Sequence, residues 1–290
     1  MELTYISARG ERLPLVGNEL FDLTNIDGQT SAEASISSST TGGTDGETVN
    51  SVQANPRTII SDLRIKSGVD VESAKRHILK IIKLKQRGSL EWKQNERTVT
   101  ISGIVESIDM PRWTNSVVMQ FSLHCDQPFW EDVENVIQEI SEAIDLHYFT
   151  DSPTDMLYFP EEGIPLGEYN TLRTRDYYND GDVAVGMEIS IVAFETVTNP
   201  IIYDGEGNFL GVGHGSGARQ LVMHEGDNLV ITTHKGNKRV TLNGANVIAK
   251  IKPRSTWLQM AAGYNLFTID SDDDSISNMS FSLIYKQRYV

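Results

Sequence analysis

Apolar and polar residues alternate with a period of two through most of this 290-residue chain, and no other feature narrows its fold as far. Successive side chains of a strand point to opposite faces, so this pattern builds sheets with one buried side. The clearest stretch sets Val117, Met119, Phe121 and Leu123 against Gln120, Ser122 and His124. Ile59, Leu63 and Ile65 repeat it, as do Val99, Ile101 and Val105. A longer run carries Val183, Val185, Met187, Ile189 and Ile191, and the chain ends on Met279, Phe281, Leu283 and Tyr285. Asn243-Gly244 is a two-residue hairpin signal, and Lys235-Gly236-Asn237-Lys238 separates Leu229/Ile231 from Val240/Leu242. The second half therefore predicts short strands at spacings of about 8–12 residues, the mark of a sandwich or closed barrel.

Only two stretches have helical spacing. In 70–83, Val71, Ala74, Ile78 and Ile82 share one face, with Asp70 placed to cap it. In 131–145, Val133, Val136, Ile137, Ile140 and Ile144 form a second stripe. The fold class is thus mainly β. At about 150 residues per domain the length suits two domains, an α+β domain over 1–145 and an all-β domain over 146–290.

A net charge of -15 argues against a general nucleic-acid binder and against attachment to an anionic membrane. A single cysteine, Cys125, excludes an intramolecular disulfide and a Cys-based zinc cage, and its apolar strand suggests a buried small hydrophobe. The start, MELTYISARGERLP, has no signal-peptide core and no apolar run approaches 18 residues, so the chain reads as soluble and made inside a cell.

Candidate chemistry is thin. Asp270-x-Asp272-Asp273-Asp274 opens like a calcium loop, but Ser275 stands where a turning glycine is needed and Phe281 where a bidentate glutamate is needed. Gly213-x-Gly215-x-x-Ala218 resembles a dinucleotide fingerprint, yet Gln220-Leu221-Val222-Met223 reads as a strand where a helix should start. The six histidines have no metal-ligand spacing, and no nucleophile elbow occurs. Trp130 and Trp257 could each stack on a sugar ring or fill a core. These residues call for no cofactor, metal or catalytic group, and favour a scaffold or binding protein over an enzyme.

Two further features bear on assembly. Segment 30–56 holds eleven Ser or Thr, three Gly and no Lys or Arg, and is expected to be a long loop or hairpin tip. Charge is also segregated. From Arg57 to Arg97 eleven basic residues face five acidic ones, and from Asp126 to Glu162 eleven acidic residues stand with no Lys or Arg. The blocks are either solvated faces or complementary surfaces, within one chain or between copies.

The stretch RTIISDLRIKSGVDVESAKRHILKIIKLKQRGSLEW (57–92), with TVTISGIVESIDMPRWTNSVVMQFSLHCDQPFWED (98–132), resembles the first domain of the distal tail proteins of phages with long non-contractile tails. In that family this region closes on a C-x-x-P-(F/Y)-W segment, here Cys125 to Trp130. NDGDVAVGMEISIVA (179–193) and GDNLVITTHKGNKRVTLNGANV (226–247) resemble the family's C-terminal domain.

The resemblance implies a tail-tube-like β-barrel with one helix, followed by a galectin-like β-sandwich. It implies a homohexameric ring joining the tail tube to the tip or baseplate hub, through which tape-measure protein and DNA pass without specific binding. It places the protein in the virion tail tip after synthesis in the bacterial host cytoplasm. A ring needs one patch to meet a different patch on the next copy. Lys75, Arg76, Lys80, Lys83 and Lys85 are expected to approach Glu131, Asp132, Glu134, Glu139 and Glu142 of the neighbour. Ser38, Ser39, Thr40, Thr41, Gly42, Gly43, Thr44, Asp45 and Gly46 form the loop expected to touch tube or tip, and the channel wall is expected to be acidic or neutral. The alternative is a carbohydrate-binding adhesin acting through the C-terminal sandwich.

Overall fold

The computed structural model describes residues 2–30, 32–43, 45–95, 97–110, 117–139, 141–145, 167–171, 174–273 and 276–290, with only the backbone of 139, 141–145 and 167–171. The chain forms two compact units, Met1–Glu134 with Arg288–Val290, and Asn135–Gln287.

In the first unit an antiparallel sheet runs Arg12–Pro14, Glu2–Ser7, Arg87–Gln94, Arg97–Asp109, Val118–Cys125, Arg57–Ile65, Phe21–Asp27. Its two end strands share no ladder among the described residues, so the barrel expected here keeps an open hydrogen-bonded path. Alternation buries Ile59, Leu63, Met119, Phe121, Leu123 and Cys125, as the sequence pattern requires. Helix α1 (Val71–Ile81) lays Ala74, Ile78 and Ile81 on this core. Each buried isoleucine contributes about 1.5–3 kcal/mol relative to exposure. Asp70 caps the helix by accepting from Ser73 N at 2.9 Å, and these Ser73 hydrogen bonds hold its carboxyl below the usual range. Trp130–Asp132 pairs with both Arg97–Asp109 and Arg288–Tyr289, so the last residues of the chain return to the first unit.

The second unit packs two antiparallel sheets around one core. One runs Val136–Glu139, Met279–Tyr285, Met187–Ala193, Asn228–His234, Asn237–Leu242, Ala245–Asn246. The other runs Thr174–Asn179, Gly263–Ser271, Pro200–Asp204, Phe209–Gly211. Met187, Ile189, Ile191, Phe281 and Leu283 of the first meet Tyr177, Ile202, Phe267 and Ile269 of the second in one cluster. Asn243 and Gly244 take φ of 49° and 80°, the paired positive values a two-residue hairpin turn demands.

The helix expected over 131–145 is absent. Val136–Glu139 is a strand on Met279–Tyr285, and Ser141–Asp145 pairs with Gly167–Thr171. Asp132 Oδ1 accepts from Glu134 N at 3.2 Å, a local turn that competes with helix initiation. The β-branched stripe then prefers an extended backbone with a sheet edge beside it. Because Val136–Glu139 pairs inside the second unit, the division falls after Glu134, where the sequence suggested 145.

Candidate assembly surfaces

Segment 30–56 builds a two-stranded arm, Ala34–Ser39 paired with Thr48–Ala54, whose residues are all exposed. Its roots are pinned in the first unit. Gln29 O accepts from Arg57 Nη1 at 2.9 Å and from Trp130 Nε1 at 3.0 Å. Gly28, at φ 75°, lies so close to the neighbouring strand that a Cβ would sit 2.2 Å from Thr58 O. Only glycine fits both the dihedral and the space.

The arm is two-faced. Ala34↔Ala54 and Ile36↔Val52 face one another across the ladder, and the register then shifts so that Ser38 opposes Val49. That irregularity brings Val49 onto the side of Ile36 and Val52, where strict alternation would have turned it away. The other side carries Ser35, Ser37, Ser39, Ser51 and Gln53. Ile36, Val49 and Val52 are 62%, 54% and 60% exposed. A free two-stranded hairpin is marginal in water, and this one carries a stripe of exposed β-branched residues along one face. Of the expected contact loop, Ser38 and Ser39 end the first strand, 40–43 and 45–46 form the exposed tip, and Thr44 lies outside the described residues.

The basic cluster is divided between helix α1, which carries Lys75, Arg76 and Lys80, and the turn after it, which carries Lys83 and Lys85. Arg76 Nε lies 3.6 Å from Glu72 of its own helix. On the acidic side, Glu131 is taken by Arg288, whose Nε donates to it at 2.8 Å. Asp132 serves the turn to Glu134, and Glu134 is exposed. The side chains of Glu139 and Glu142 lie outside the described residues. The two charge blocks also touch within the chain, where Arg87 Nη2 is 3.5 Å from Asp126 Oδ2. Nothing in the sequence points to Arg288 as the partner of Glu131, because that pairing spans nearly the whole second unit.

Cys125 packs in the core of the first unit, and burial pushes its thiol up to about 12. Trp130 is core, whereas Trp257 lines a cleft on the second unit. Asp272 accepts from Asn199 Nδ2 at 2.7 Å and pairs with Lys252 at 3.5 Å, which ties the aspartate-rich turn into the fold. Asp274 and Ser275 lie outside the described residues. Gly213 sits where a Cβ would lie 2.1 Å from Asn199 Oδ1, a packing glycine, and Val222–Met223 is the strand its sequence suggested.

Residues 180–289 match the family model of the siphovirus-type tail component, C-terminal domain. Among solved structures the chain is similar to the Dit protein (gp 19.1) of phage SPP1, described as a paradigm of the hub adsorption apparatus in phages infecting Gram-positive bacteria. That likeness has a TM-score of 0.65 at 11% identity and covers 98% of each chain. Chains of the phage p2 baseplate in its activated conformation, with Sr and with Ca, align at TM-scores of 0.44 and 0.43, with 11% and 10% identity, over 100% of this chain and 99% of theirs. No curated protein matches the sequence.

Proposed function

We propose that this chain, a phage distal tail protein by the family of its C-terminal domain and by its fold, works as a homohexameric adaptor ring joining the tail tube to the tip or baseplate hub. The match of 180–289 to the siphovirus-type tail component carries the reading, and it supports a structural, non-enzymatic role in the virion. The arm supports the ring, since an exposed apolar stripe on an otherwise polar hairpin is stabilised when a neighbouring copy covers it. The tape-measure protein and then DNA pass through the lumen. The acidic net charge of -15 suits a wall that DNA slides along without sticking. Synthesis takes place in the bacterial host cytoplasm.

Negative-stain imaging of the purified protein is expected to show six-fold rings with a central channel, alone or with tube protein added. Monomers under both conditions would end the proposal. Lys75, Lys80 and Lys83 are proposed to face acidic groups of the next copy, Glu134 among them. Reversing all three to Glu is expected to move rings toward monomers at low salt, read by light scattering. An unchanged mass would remove the charge pairing from the interface.

The tip of the arm is proposed to reach the tube ring or the hub protein. Deleting residues 41–45, which keeps Ser38 opposite Val49, is expected to leave the ring intact and to weaken its stacking on tube protein in a pull-down. Normal stacking by the deletion variant would retire that contact.

A further inference from the structure

We infer that the second unit carries a binding cleft for a neutral saccharide, a function separate from ring assembly. The cleft, of about 410 Å³, lies between the turn 205–208, the segment 256–261 and the start of Gly263–Ser271. That volume falls within the range of about 300–1,000 Å³ usual for small-molecule sites. Its walls combine Trp257, Tyr264 and Leu266 with Asp204, Glu206 and Gln259.

The polar groups are fixed in advance and are chiefly acceptors. Asp204 Oδ1 accepts from Glu206 N at 3.0 Å and Asn208 N at 2.8 Å, and its Oδ2 accepts from Asn208 Nδ2 at 2.9 Å. A carboxylate has about four acceptor sites, so Asp204 is held rigid with capacity left over. Gln259 spends its Nε2 on Thr233 O at 3.2 Å and Leu258 O at 3.1 Å, which leaves its Oε1 to accept. Asn265, by contrast, is used up on Ala261 and Gly263 and only shapes the wall. A rigid set of acceptors selects a ligand rich in O–H donors.

The aromatic residues supply the complementary surface. Tyr264 is 85% exposed, yet it is braced edge-on by Tyr178, with ring centroids 4.9 Å apart and an interplanar angle of 61°. Lys238 Nζ stands 5.3 Å from the Trp257 ring centroid, so Trp257 acts as a wall and Tyr264 as the open platform. A flat ring face beside hydroxyl acceptors fits a pyranose, whose C–H face is apolar and whose rim is hydroxylated. Asp204 and Glu206 repel an anionic sugar.

The test uses the full-length protein and ligand-observed NMR with methyl glucoside, methyl galactoside and methyl N-acetylglucosaminide as probes. Saturable binding by at least one is expected. Tyr264→Ala is expected to weaken it by roughly tenfold or more, as loss of a central aromatic contact does. Asp204→Asn is expected to weaken it with the overall fold preserved by circular dichroism, and Leu79→Ala, on helix α1, is expected to bind as wild type. The inference is overturned if none of the three binds, if Tyr264→Ala binds equally well, or if glucuronate or glucosamine is preferred to all of them. Ring formation, measured on the same variants, is expected to persist, so either reading can fail without the other.

Discussion

Replacing Trp130 with alanine is expected to destabilise the first unit by about 3–5 kcal/mol, the range for removing a large aromatic side chain from a core. Trp130 is 2% exposed and meets Trp92 edge-on, with centroids 5.7 Å apart. Its strand joins the sheet on one side and the returning C-terminal residues Arg288–Tyr289 on the other. Its indole N–H also donates to Gln29 O at the root of the arm. The effect should therefore appear in two measurements. Denaturant unfolding should show a lower midpoint, and limited proteolysis should cut faster near the root of the arm. Trp130→Phe separates the causes, because it keeps much of the packing and loses the hydrogen bond, a loss of about 1 kcal/mol. An alanine variant with wild-type stability would mean that Trp130 is not part of the core.

The contrast between Trp130 and the arm shows what a sequence of this kind makes legible. Strand periodicity identified Met119, Phe121, Leu123 and Cys125 as core because a sheet with one buried face writes its orientation into every second residue. The helix was readable from Ala74 and Ile78 with Asp70 before them, and the Asn243-Gly244 turn from its dihedral demands. The stretch 131–145 misled because its apolar spacing satisfies a helix while its residues are β-branched. The decision was made by the edge of Met279–Tyr285, more than 130 residues away. The apolar face of the arm was hidden for a different reason. Val49 and Val52 are three apart, a spacing that strict strand alternation assigns to opposite faces, and only the register shift between Ser37 and Ser38 unites them. The cleft was half visible, since Trp257 stood out as an aromatic candidate, but its platform Tyr264 and the Asp204 turn come together only through the pairing of Pro200–Asp204 with Gly263–Ser271.

Placing aspartate at both Ile36 and Val52 is expected to abolish ring formation while leaving the folded monomer intact. Both residues are more than half exposed, so the substitution changes monomer stability by no more than about 0.5 kcal/mol, the usual range for surface positions. In the proposed ring the same residues would face a neighbouring copy, and each interface would bury two charges where two aliphatic side chains had been. Covering an aliphatic side chain contributes about 1.5–3 kcal/mol, and half that for a side chain already partly shielded still leaves about 2 kcal/mol over the pair. With desolvation of two carboxylates added, association should weaken by at least roughly a hundredfold per interface, at 1.4 kcal/mol per tenfold. The matched control is aspartate at Ser37 and Ser51, which also oppose each other across the ladder but on the polar face. It introduces the same charge and the same cross-strand repulsion, and is expected to assemble. Mass photometry of the two variants side by side decides the matter. Rings from both would detach the stripe from assembly, and monomers from both would reduce its role to charge on the arm. Only loss in the first with retention in the second assigns the interface to the face that the register shift creates.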